Sequence, residues 1–198
     1  MIRGLRPLLL TGLLSLSSLA EAHSPIAGIG NFYNGMLHPL LVPAHLICVL
    51  VLGLLAGQSG LAHARVAMLA FPPAMLAGML AGNWLPAPDA EVTLLVQAAI
   101  LGTLLAVQWR MPVALFGLPA LVCGLAVGLD SLPEGQSGST LLLAMLGALL
   151  GSALLLLSAV TLAESLAGPV QRIALRIAGA WMGAAAILVL SLALVPQA

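Results

Sequence analysis

From residue 36 onward the chain is a succession of long apolar stretches separated by short polar ones. The stretches cover residues 36–56, 64–81, 92–109, 111–129, 140–163 and 173–195, and the second contains the pair Pro72-Pro73. Each is close to the ~20 residues a helix needs to cross the hydrocarbon core of a bilayer. The stretches are continuously apolar and do not alternate, so they fit helices and not barrel strands. The pattern predicts an all-α, polytopic membrane helix bundle of six transmembrane helices. The start of the chain reads differently. Arg3 and Arg6 precede a short apolar run over residues 8–19, and Ala20-Glu21-Ala22 has small residues where a signal peptidase needs them. That run is short for a membrane span, so residues 1–22 are read as a cleaved signal peptide and residues 23–198 as a single transmembrane domain whose first residue is His23.

Composition narrows the function classes. Hydrophobic residues make up 62% of the chain and charged residues only 6%, where a soluble domain carries about a quarter charged residues. The cationic residues are six arginines, with no lysine, too few for a nucleic-acid surface. Low charge with high hydrophobicity also excludes disorder. Lipid is the expected main solvent, and no room is left for a separate soluble catalytic domain. Charge placement sets the expected orientation. Arg65 falls where the first stretch gives way to the second, Arg110 between the third and fourth, and Arg172 and Arg176 where the fifth gives way to the sixth, all on one side. Asp89, Glu91, Asp130 and Glu134 fall on the other. The positive-inside rule puts the arginines in the cytoplasm and both chain ends outside it, an N-out/C-out arrangement that agrees with a signal peptide.

The chemistry concentrates around the first stretch, Asn31-Phe32-Tyr33-Asn34-Gly35-Met36-Leu37-His38-Pro39-Leu40-Leu41-Val42-Pro43-Ala44-His45-Leu46-Ile47-Cys48. Ionisable residues inside a membrane are costly and face a cavity or a partner. His38 and His45 are seven residues apart and share one face of a regular helix, ~10 Å apart along its axis, too far to chelate one ion together. They are then successive stations, or each joins ligands from another helix. Pro39 and Pro43 are positioned to break the helix and change that distance, and broken helices mark transport sites. Imidazole suits nickel, cobalt, copper and zinc. Cys48 lies one turn below His45, Met36 offers further soft sulfur, and the amine and ring of His23 form a possible chelate at the outer surface. The competing reading is structural: His38 caps the helix, His45 bonds to a neighbouring backbone, and His63 is a solvated interfacial side chain beside Arg65. Asp130 and Glu164 read as interfacial, Met68, Met75 and Met79 as packing, and Ser152, Ser158 and Thr161 as bonded to their own helix. Gly78/Gly82 and Gly147/Gly151 have the spacing of close helix contacts. Cys48 and Cys123 form no CxxC and read as buried apolar side chains. With no GxSxG, HExxH or phosphate-binding loop, the chain is not expected to be an enzyme.

The residues Ala22-His23, Gly35-x-x-His38-Pro39 and His45, followed by Leu52-Gly53-Leu54-Leu55-Ala56-Gly57-Gln58, resemble the HupE/UreJ family of small nickel/cobalt permeases. One branch of that family carries His-Pro-x-x-Gly-x-Asp-His. Here Val42 and Ala44 stand at its Gly and Asp positions, so the chain is more similar to the second, divergent branch, with Pro43 two residues before the histidine. The resemblance implies about six helices and a metal-binding role for His38 and His45.

Together these readings predict a multi-pass permease of the bacterial inner membrane for a divalent transition-metal ion, nickel or cobalt. Its metal ligands would be His23, His38, His45 and Cys48. The ion is substrate, and no permanent cofactor is expected. The second reading is a non-transporting membrane subunit that assists assembly of a metalloenzyme. A metalloenzyme maturation partner or a homo-oligomer is the protein contact expected beside lipid.

Overall fold

The computed structural model describes residues 28–82, 90–132 and 135–193. The proposed signal segment, His23, Asp89 and Glu134 lie outside the described residues. Among them the structure is all helical: α1 (Gly30–Leu41), α2 (Pro43–Ser59), α3 (Leu61–Ala81), α4 (Ala90–Val107), α5 (Val113–Asp130), α6 (Gly138–Ser165) and α7 (Pro169–Ala193). Helices α3 to α7 are each long and apolar enough to cross a membrane, and α1 and α2 pass the same test only as a bent pair, which gives five candidate spans, or six with the pair counted as one. Their outward faces carry large apolar side chains such as Leu69, Leu118, Trp181 and Leu192, a surface suited to lipid.

The first apolar stretch is where the structure departs from an unbroken span. The helix starts earlier, at Gly30, and stops at Leu41. Pro43 disfavours the helical region for its neighbour, and Val42 takes φ −88°, ψ 112°. Pro43 then opens α2 at a position where a missing N–H costs nothing. The axes of α1 and α2 differ by 73°.

Helix α2 forms the centre of the bundle. Residues 48, 49, 51–57 are all buried, as is expected of a helix that is apolar around its whole circumference. Lipid is as apolar as leucine, so the helices associate through close packing and not through the hydrophobic effect. Small residues make that packing possible. A Cβ at Gly53 would overlap Ala159 and Leu156, and one at Gly57 would overlap Val160 and Ala163, so α2 and α6 run parallel. Gly124 meets Phe71 and Ala74, and Gly128 meets Met75 and Met79, so α3 and α5 are also parallel. Gly102 faces Gly179 and Gly183 in an antiparallel contact of α4 with α7. These directions bring Arg65, Arg110, Arg172 and Arg176 to one end of the bundle. The break at Val42 and the C-terminus of α5 lie at the opposite end.

The crossing of α1 over α6 fixes the broken helix. A Cβ on Gly35 would overlap the Ala144 carbonyl, and Cβ atoms on Gly147 and Gly151 would overlap the Phe32 and Met36 carbonyls. Backbone touches backbone at these three positions, so α1 is seated on the first half of α6. Gly147 and Gly151 thus have the close-contact role their spacing predicted, and Gly78 has it against Leu125 and Gly128.

Candidate metal centre

The site is built by the break. In a regular helix His38 and His45 would stand two turns apart. With the chain turned at Val42, their ring centroids are 5.2 Å apart with the planes inclined at 71°. His38 lies in the last turn of α1, and His45 in the first turn of α2. The expectation that one helix face separates them by ~10 Å is therefore corrected, and the physical cause is the steric demand of Pro43 on Val42.

A third residue arrives from a distant part of the chain. Asp130 ends α5, and its Oδ2 lies 2.8 Å from His45 Nε2. One donor atom from each of His38, His45 and Asp130 falls within 4.8 Å of the others. The His45–Asp130 contact is short but poorly aligned. Among the described residues, neither ring nitrogen of His45 has a partner that satisfies hydrogen-bond geometry. His45 is 0% exposed and the Asp130 side chain is 26% exposed, so the cluster reaches from the sealed interior to the surface of that end of the bundle. An imidazole buried without satisfied nitrogens is expensive in a membrane interior. The helix dipoles are negative here on balance: α1 and α5 place their negative C-terminal ends at the cluster, against the single positive N-terminal end of α2.

Reasoning from sequence missed Asp130, which reads as an ordinary interfacial acid. No carboxylate stands at Ala44, and the one in this cluster comes from a different helix. Sequence alone carried one weak signal for it: Asp130 and Glu91 are the acidic groups that directly abut an apolar stretch on the same side as His38.

Cys48, expected as a metal ligand with the histidines, lies outside this cluster. It is fully buried, and its Sγ accepts a hydrogen bond from the Cys123 thiol at 3.4 Å. Both cysteines are free thiols. His63 is a different kind of histidine. It is buried rather than solvated, its Nε2 lies 2.8 Å from the Met111 carbonyl, and its ring meets Phe116 edge-on at 5.3 Å. Ser158 and Thr161 bond back to their own helix as expected, but Ser152 does not: its Oγ is fully buried and has no hydrogen-bond partner. Met75 and Met79 are core packing.

The model of one protein family, described as HupE / UreJ protein, matches residues 11–189. The chain belongs to the HupE/UreJ family. Searches of curated proteins and of solved structures found no match. Membership supports a role in metal transport in general terms.

Proposed function

We propose that this HupE/UreJ protein is a permease of the bacterial inner membrane that carries a divalent transition-metal ion, nickel or cobalt, and that His38, His45 and Asp130 are its loading site. The observation that carries this reading is the convergence of two imidazoles and a carboxylate at a helix break, with both nitrogens of the buried histidine unsatisfied. Two imidazoles and one carboxylate form a donor set of intermediate hardness, suited to borderline first-row divalent ions. With metal–ligand bonds of about 2.1 Å, a 2.8 Å separation of His45 Nε2 and Asp130 Oδ2 subtends about 85° at an ion. That is within reach of adjacent ligands on one ion.

The arginine-bearing end faces the cytoplasm in this reading, which turns the loading site outward. His23 at the processed N-terminus is the first contact. Substrate sheds water at the part-exposed His38 and Asp130 and passes to buried His45. No resident cofactor and no catalytic step are required. The absence of a nucleotide-binding motif in the sequence leaves facilitated movement or an ion gradient as the drive.

Reconstitution tests the reading. Proteoliposomes loaded with a metal-sensitive dye are challenged with nickel, cobalt, copper and zinc, beside a His38→Ala/His45→Ala double variant. Uptake of nickel or cobalt that disappears in the variant supports it. An intact protein that neither binds nor moves any of the four overturns it and leaves the accessory-subunit reading.

A further inference from the structure

Below the loading site lies a second cluster of donor atoms that the loading step does not use. Cys48 follows His45 by three residues, so the two share one face of α2 and stand ~4.5 Å apart along its axis. Cys123 precedes Asp130 by seven residues, ~10 Å deeper along α5. The two helices that hold His45 against Asp130 therefore also hold Cys48 against Cys123, with Sγ atoms 3.4 Å apart and both side chains fully buried.

We infer that Cys48 and Cys123 form a second, thiol-ligand station for a divalent transition-metal ion, reached from the His38–His45–Asp130 site and taking the ion in exchange for two protons. This rests on the permease reading and extends it from a loading site to a path.

Three physical points carry it. The first is bite. With metal–thiolate bonds of about 2.3 Å, sulfurs 3.4 Å apart subtend about 95° at an ion. That angle suits adjacent ligands of a four- or six-coordinate divalent ion. The second is charge. A divalent cation stripped of water in the bundle interior is costly unless it is neutralised. Two neutral thiols each lose a proton, two metal–sulfur bonds form, and the bis-thiolate complex has the same net charge as the dithiol it replaces. No electrons are transferred, and the two protons leave to water through the part-exposed loading site. The third is continuity. Among the described residues His45 Nδ1 is buried with no hydrogen-bond partner, so the imidazole one helical turn from Cys48 keeps a second nitrogen uncommitted.

Cobalt(II) is the probe, added anaerobically with a non-thiol reductant to the purified full-length protein in detergent. A thiolate-to-cobalt charge-transfer absorption is expected in the near ultraviolet, with cobalt–sulfur scattering at the cobalt X-ray edge of the unmodified protein. In weakly buffered solution, the Cys48→Ser/Cys123→Ser variant releases two fewer protons per protein at saturation. That variant loses the absorption, retains a cobalt spectrum of nitrogen and oxygen ligands, and falls at least about tenfold in cobalt uptake in proteoliposomes. His38→Ala/Asp130→Asn keeps the thiolate absorption at raised cobalt concentration. An unmodified protein that binds and transports cobalt with no sulfur scattering overturns the thiol station and leaves the loading site standing, as does a double-serine variant with unmodified uptake. No cobalt binding of any kind by the unmodified protein overturns both. The scattering measurement needs no variant, so a misfolded serine mutant does not decide the matter.

Discussion

The two ends of the bundle each bury a histidine, and they use it in opposite ways. At the arginine-bearing end His63 has what a buried imidazole needs: the Met111 carbonyl at 2.8 Å and an aromatic edge contact with Phe116. It ties the start of α3 to the turn before α5. At the other end His45 is more deeply buried, yet neither of its nitrogens has an aligned partner, and a second imidazole and a carboxylate crowd it. The same residue type is a structural tie in one place and, in the proposed function, a ligand in the other. The difference lies in the satisfaction of the ring nitrogens, and burial alone does not reveal it.

Several substitutions break or sharpen that contrast. The largest effect is expected from His45→Ala, which should bring nickel or cobalt uptake in proteoliposomes to the level of empty vesicles with the protein still inserted. Uptake at the unmodified rate would remove the central role of His45. Asp130→Asn keeps the shape of the side chain and removes its charge, and we expect roughly 10- to 100-fold weaker metal binding by calorimetry. An unchanged affinity would mean that the carboxylate only neighbours the site. Gly151→Val forces a side chain into the Met36 backbone and should lift α1 from α6, at a cost of about 1–3 kcal/mol in thermal unfolding, with weaker metal binding because His38 moves with α1. Pro43→Ala relaxes the constraint on Val42 and should weaken binding by a few-fold as α1 and α2 sample a straighter helix, which paired spin labels on the two helices would register as a longer distance. The smallest effect on transport belongs to His63→Ala. It leaves the Met111 carbonyl without a partner and should lower stability by about 1–3 kcal/mol while uptake per folded molecule stays unchanged. Loss of uptake without loss of stability would erase the contrast between the two histidines.

Much of the fold is legible along the chain because each membrane span must satisfy its own backbone. Length and apolarity then suffice, and the boundaries of the second to sixth stretches differ from α3 to α7 by only a few residues. The helix break was legible as a possibility, since Pro39 and Pro43 flank it, but not as an angle. The candidate site was legible by half. Histidines inside an apolar stretch are conspicuous, whereas Asp130 sits at a span end where acids are ordinary. Cys123 was less visible still, because a cysteine among leucines and alanines has the profile of a core residue, and only its neighbour across the helix contact gives it another meaning. Ser152 resembled Ser158 and Thr161 in sequence, yet it alone of the three has no helical carbonyl as partner.

By itself the sequence determined the helices of the second to sixth apolar stretches, since these follow from interactions within about twenty residues, above all backbone hydrogen bonding in an apolar solvent. The tertiary structure alone decided which donors meet. His45 finds Asp130 and Cys48 finds Cys123 across gaps of 85 and 75 residues, because glycine contacts set the crossing and depth of the packed helices. A packing angle is a property of two surfaces, and neither surface carries it alone.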